Sequence, residues 1–105
     1  MKAPALPISE AAYQARILDY AHLLKLRVFH SGDSRRDSCA GYPDLTIVGP
    51  FGVLFLEVKT ANGRIRPEQA EWLEALNTAG MSASVVRPGD WSVVKPQLER
   101  IAGKS

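Results

Sequence analysis

The sequence has a single cysteine, Cys39, among 105 residues. That excludes an internal disulfide framework and a metal centre built from thiolates alone. No stretch approaches the roughly 20 apolar residues of a membrane span. Met1 to Pro7 is too short and too proline-rich for a signal peptide. A cytosolic, reducing compartment is therefore the expectation. Internal repeats and low-complexity tracts are absent, and the composition is neither collagen-like nor that of a disordered chain. Charge of one sign is also scarce: 13 basic against 11 acidic residues leave only +2. What is present is 46% hydrophobic and 23% charged. At this length one domain is expected, burying roughly two-thirds of the surface its unfolded chain exposes.

The distribution of charge says more than its sum. Lys25, Arg27, Arg35 and Arg36 fall within one stretch that carries a single acid, Asp33. Lys59, Arg64 and Arg66 fall in a second stretch without an acid, followed by Glu68, Glu71 and Glu74. Either cluster alone would be an ordinary solvated surface. Together they place two basic loop segments beside an acidic helix face, a weak pointer to a polyanionic partner.

The chain reads as an N-terminal arm over residues 1–8 and a single domain over 9–105. Ser9 is a good N-cap, and Tyr13, Ile17, Tyr20, Ala21 and Leu24 follow helical spacing. A short strand is expected at Val28 to His30, then a polar, arginine-bearing loop to Gly41. Asp44 to Val48 and Val53 to Lys59 are β-rich runs joined by Gly49-Pro50-Phe51-Gly52, a hairpin signal. Pro67 suits the first position of a helix running to Ala79, with Ala70, Leu73 and Leu76 inward and Gly80 at its end. A fourth strand is expected at Ala83 to Val86 and a final helix at Gln97 to Ala102. The order is αβββαβ plus a helix. The fold class is α/β, a mixed sheet flanked by helices, with an antiparallel hairpin and a right-handed crossover to a parallel fourth strand.

Arithmetic registers the hairpin. With Pro50 and Phe51 at the turn, paired residues sum to 101, so Asp44 faces Glu57. Directly opposed side chains sit about 5 Å apart at Cβ. Two carboxylates that close repel unless something compensates, and a divalent cation is the natural compensation. Lys59, two residues after Glu57, lies on the same face roughly 7 Å further along the strand. A slip of one residue would separate the two acids to opposite faces.

These residues match a family pattern. Pro43-Asp44, followed after twelve residues by Glu57-Val58-Lys59, resembles the PD-(D/E)xK nuclease motif. The fuller set is more specific. Gly41-Tyr42-Pro43-Asp44-Leu45, Phe55 to Thr60, Gly63, Pro67-Glu68-Gln69, Trp72-Leu73 and Arg87-Pro88-Gly89-Asp90-Trp91 resemble the VRR-NUC domain, as do Ser9-Glu10 and Gln14. The resemblance covers about residues 9 to 95 and is closest to stand-alone phage and bacterial members, for which the compartment would be the bacterial or host cytoplasm.

The resemblance implies a restriction-endonuclease-like core that hydrolyses DNA phosphodiesters with Mg²⁺ or Mn²⁺. It also implies a substrate of branched DNA, such as flaps or four-way junctions, and a homodimer. Asp44 and Glu57 would be direct metal ligands, with the backbone carbonyl of Val58 as a third. Lys59 would position the attacking water or stabilise the pentavalent phosphorane, as an ammonium rather than a base. Glu10, against a plain helix-dipole role, would reach the metal through water or carry a second ion. Gln69, against a plain N3 capping role, would touch the nucleophile, Lys59 or a phosphate. His30 and Ser31 would lie on the substrate side. Arg35, Arg36, Arg64 and Arg66 are candidate phosphate contacts, which set affinity rather than sequence choice. Arg66 stands where family members often place a serine or threonine, so a helix cap worth about 1 kcal/mol is exchanged for a cation. Tyr13, Ile17, Trp72, Leu73 and Trp91 read as core or interface. Two other classes stay open: a DNA-binding subunit without catalysis, and a nuclease acting on linear DNA ends or RNA.

Overall fold

A computed structural model describes residues 8–31 and 39–104. The Ser9 hydroxyl accepts a hydrogen bond from the Ala12 amide at 3.0 Å and opens α1 (Glu10–Leu23). Strands β1 (Arg27–His30), β2 (Leu45–Gly49) and β3 (Gly52–Val58) form an antiparallel meander. Helix α2 (Pro67–Thr78) then carries the chain to β4 (Ser82–Val86), which pairs parallel to β3. A 3₁₀ turn at Pro88–Asp90 leads into α3 (Trp91–Ala102). The sheet order is β1-β2-β3-β4. The fold is the expected α/β domain, a four-stranded mixed sheet flanked by helices.

Alternation along the strands sorts the two faces. Leu45, Ile47, Leu54, Leu56, Val58 and Val86 form one face of the core with Tyr13, Ile17 and Ala21 of α1 and Val94, Leu98 and Ile101 of α3. Burying each large side chain contributes roughly 1.5–3 kcal/mol. Phe29, Thr46, Phe55 and Ala83 share a row across the opposite face. Helix α2 packs there against β4. It leaves Phe29 (62%) and Val48 (39%) exposed on β1 and β2.

The hairpin register is as the arithmetic gives it: Leu45 pairs with Leu56 and Gly49 with Gly52, so Asp44 and Glu57 meet where the paired strands end. Gly49 is required there because a Cβ would come within 2.2 Å of the Ile101 carbonyl oxygen. The Phe51 amide donates to that same oxygen at 3.0 Å, tying the turn to the end of α3.

Two expectations are corrected. Helix α3 begins at Trp91, not Gln97. Pro96 lies inside it, on an exposed position, where the Ser92 carbonyl it leaves without an intrahelical partner can meet water. Second, Ala70 is exposed and Leu73 and Leu76 are only half-buried, whereas Gln69 is the buried residue of α2. The inward face of α2 is turned by about one residue because its first turn is held against the hairpin end by a polar side chain.

Candidate active site

Asp44, Glu57, Lys59 and Gln69 gather at one end of the sheet. Asp44 lies just before β2, held from both sides. Its main-chain carbonyl accepts from the Ser31 amide at 2.9 Å and the Ser31 hydroxyl at 3.3 Å, and that hydroxyl also donates to the Pro43 carbonyl at 3.0 Å. The Asp44 Oδ2 accepts from the Val58 amide at 2.8 Å. Its carboxylate is thereby fixed against β3, beside Glu57.

Glu57 is 2% exposed. Its Oε2 accepts from Gln69 Nε2 at 3.0 Å and lies 3.7 Å from Lys59 Nζ. Its Oε1 is buried and has no hydrogen-bond partner. Burial, then the neighbouring Asp44 carboxylate, push the Glu57 pKa up to about 8, while Lys59 pulls it down. The charge of Glu10, at the start of α1, adds to the upward push. Glu10 therefore stands within electrostatic reach of Glu57, and it also occupies the first turn of a helix, where an acid suits the dipole.

Gln69 caps α2 with one end of its amide and with the other holds Glu57, rather than Lys59. Its Oε1 accepts from the Arg66 amide at 2.9 Å, which caps α2, and its Nε2 holds Glu57. The loop carrying Asp44 crosses this first turn closely. Gly41 has φ +85°, and a Cβ there would lie 2.5 Å from the Glu68 carbonyl carbon and oxygen. Only glycine fits. Tyr42 completes the crossing with an edge contact to Trp72 at 5.0 Å and a hydrogen bond to Thr46 at 3.2 Å.

The remaining candidates divide. Ser31 is buried and its donors are taken by Pro43 and Asp44, so it holds the Asp44 backbone rather than facing outward. His30 is exposed, and its Nε2 contacts Gln14 Nε2 at 2.6 Å on the α1 side of the sheet. Arg64 is exposed on the loop between β3 and α2. Arg66 pairs through Nε with Glu68 at 3.4 Å. Arg35 and Arg36 lie outside the described residues. Trp91 is half-buried between the ring of Tyr20 and the guanidinium of Arg16.

The donor set suits a divalent cation of the hard, oxygen-seeking kind. Among the described residues no three Asp, Glu, His or Cys side chains converge; the carboxylates that meet are those of Asp44 and Glu57. The unpartnered Glu57 Oε1, buried beside a second carboxylate, is the observation that a cation would resolve.

An α/β core that ends its central hairpin in an aspartate and a Glu-x-Lys has the arrangement of PD-(D/E)xK nucleases. The comparisons narrow that class. The VRR-NUC domain profile matches residues 9–89, and the chain belongs to that family, whose members are generally divalent-metal-dependent nucleases of this type. A solved VRR_NUC domain protein superimposes with a TM-score of 0.69 at 27% identity, covering 91% of this chain and 92% of that one. No curated protein sequence matches.

Proposed function

We propose that the chain is a metal-dependent, structure-selective endonuclease that hydrolyses phosphodiester bonds in branched DNA such as four-way junctions or flaps. The observation that carries the reading is the buried Glu57 carboxylate, one oxygen unsatisfied, set beside the half-buried Asp44. Asp44, Glu57 and the Val58 carbonyl would hold Mg²⁺ or Mn²⁺, which when bound neutralises phosphate charge and acidifies water. Gln69 keeps the Glu57 carboxylate in place. Lys59 sits beside Glu57 with its ammonium able to donate to an attacking water or to a phosphate oxygen as charge builds there. Water oxygen bonds to phosphorus as one P–O ester bond breaks, and the leaving oxygen takes a proton. Exposed Arg64 and the Arg66 side chain lie on the loop beside Lys59, where they would contact flanking phosphates. The chain would act as a homodimer, since a junction presents two strands related by near two-fold symmetry and a C₂ pair offers two sites. The exposed apolar side chains of Phe29 and Val48, on one face of neighbouring strands, support that part of the reading.

The test is cleavage of labelled four-way junction, flap, plain duplex and single-stranded RNA with Mg²⁺ or Mn²⁺. Chelator should abolish cutting, and Lys59→Ala or Asp44→Asn should lower it at least about a hundredfold. Preferential cutting of branched DNA is the expected result. Binding without cutting, equal in wild type and variants, would leave a DNA-binding subunit. Preference for linear ends or RNA would move the substrate class.

A further inference from the structure

Arg87 belongs to none of the groups assigned above. It follows β4 and begins the 3₁₀ turn, where its main-chain amide donates to Asp90 Oδ2 at 2.8 Å. That bond fixes the root of the side chain. Its Nη1 donates to the Thr60 carbonyl at 2.6 Å and to the Gly63 carbonyl at 2.8 Å. A guanidinium amino group carries two hydrogens, so both are committed. Both acceptors belong to the loop that leaves β3 through Lys59 and continues to Arg64.

The same loop is anchored by the Lys59 amide, which donates to the Val86 carbonyl at 3.1 Å. It closes on itself through the Gly63 amide and the Thr60 carbonyl at 3.3 Å. A Cβ on Gly63 would lie 3.5 Å from Lys59 Cδ, so the folded loop packs along the lysine's methylene stem. Lys59 is accordingly only 15% exposed, although it is the last residue before a loop.

We infer that Arg87 is a positioning residue for Lys59: its fork locks the 60–63 turn against the lysine stem and keeps the ammonium beside Glu57. The inference rests on the nuclease reading for its kinetic consequence, but not for its structural one. Without the fork the turn loses two anchors and Lys59 regains rotamer freedom. A misplacement of about 1 Å costs up to about a hundredfold in rate.

The experiment compares wild type, Arg87→Ala, Arg87→Lys and Lys59→Ala at saturating branched DNA with Mn²⁺. Arg87→Ala should lower kcat about 10- to 100-fold. Its affinity for Mn²⁺ alone, measured by titration calorimetry, should stay at the wild-type value, because Asp44, Glu57 and Val58 keep their own supports. Arg87→Lys, with a point charge in place of the fork, should fall between, and millimolar methylguanidine should restore part of the Arg87→Ala rate. Amide ¹⁵N relaxation over residues 59–63 should show added motion in Arg87→Ala. Wild-type kcat in a folded Arg87→Ala, unchanged relaxation, or Mn²⁺ affinity lost in step with kcat would each overturn the inference. A wild type that cuts no substrate sinks the nuclease reading instead, and the relaxation measurement still decides whether Arg87 orders the loop.

Discussion

At Glu57 a carboxyl group is withdrawn from water, set beside Asp44 and left with one oxygen unpaired, and its pKa rises from 4.5 to about 8. The sign of the stability change follows. Between those values the unfolded chain has released this proton while the metal-free fold retains it. Stability of the metal-free protein therefore falls as pH rises through that window, by a few kcal/mol in total. Thermal melts in chelator should show the decline, Glu57→Gln should flatten it, and Mn²⁺, which favours the ionised carboxylate, should reverse it. A melting temperature independent of pH in the wild type would contradict this account. The site residues differ in how legible they were. The meeting of Asp44 and Glu57 follows from two glycines and a two-residue turn, because a hairpin register is local. Lys59 follows from strand parity. The double contact of Gln69 needs the Asp44 loop laid over α2, a long-range packing fact tied to Gly41 that no spacing encodes. Ser31, which the resemblance sets on the substrate side, turns inward because two carbonyls await it. Arg87 stands in the matched Arg87-Pro88-Gly89-Asp90-Trp91 segment without a role assigned, because the carbonyls its side chain holds lie 27 and 24 residues earlier in the chain.

Among the described residues β4 is an edge strand with one strand neighbour, and such an edge invites pairing with another chain. Here a side chain occupies it. Asn77, near the end of α2, donates to the Ala83 carbonyl at 2.8 Å and accepts from the Ala83 amide at 3.2 Å, standing in for a stretch of fifth strand. Asn77→Ala should cost about 1–2 kcal/mol, read as a lowered urea midpoint with an unchanged slope. No change in the midpoint would mean that water replaces the amide without loss. Most element types and the strand order were readable from apolar periodicity and turn residues. The first half of α3 was not, because proline is ordinarily a helix boundary. Pro96 is tolerated since the three buried anchors of α3, Val94, Leu98 and Ile101, lie on both sides of it.

For the molecule as a whole, the helices are unevenly shared. Helices α1 and α3 close one face of the sheet over a continuous core, whereas among the described residues the other face has α2 alone, over β4. Among the described residues no helix is long and apolar enough to cross a membrane, so the exposed Phe29 and Val48 do not belong to a transmembrane helix. A second copy laid over this face would complete the layer. Sedimentation equilibrium at micromolar concentration should then give a dimer, and Phe29→Asp a monomer with a nearly unchanged melt, since Phe29 is 62% exposed within one chain. A wild-type monomer would contradict the dimer.

The amide of Gln69 joins a helix cap to a carboxylate, and this merges two fluctuations that most proteins keep apart. Fraying of a helix's first turn is among the cheapest excursions a folded chain makes. Here the same excursion unclasps Glu57. The competent geometry is thus lost in a local opening well before the core melts, and warming should silence the site at a temperature where the rest of the chain is still native. The exchange lifetime of one backbone hydrogen, on Arg66, becomes a timer for how long the site stays assembled.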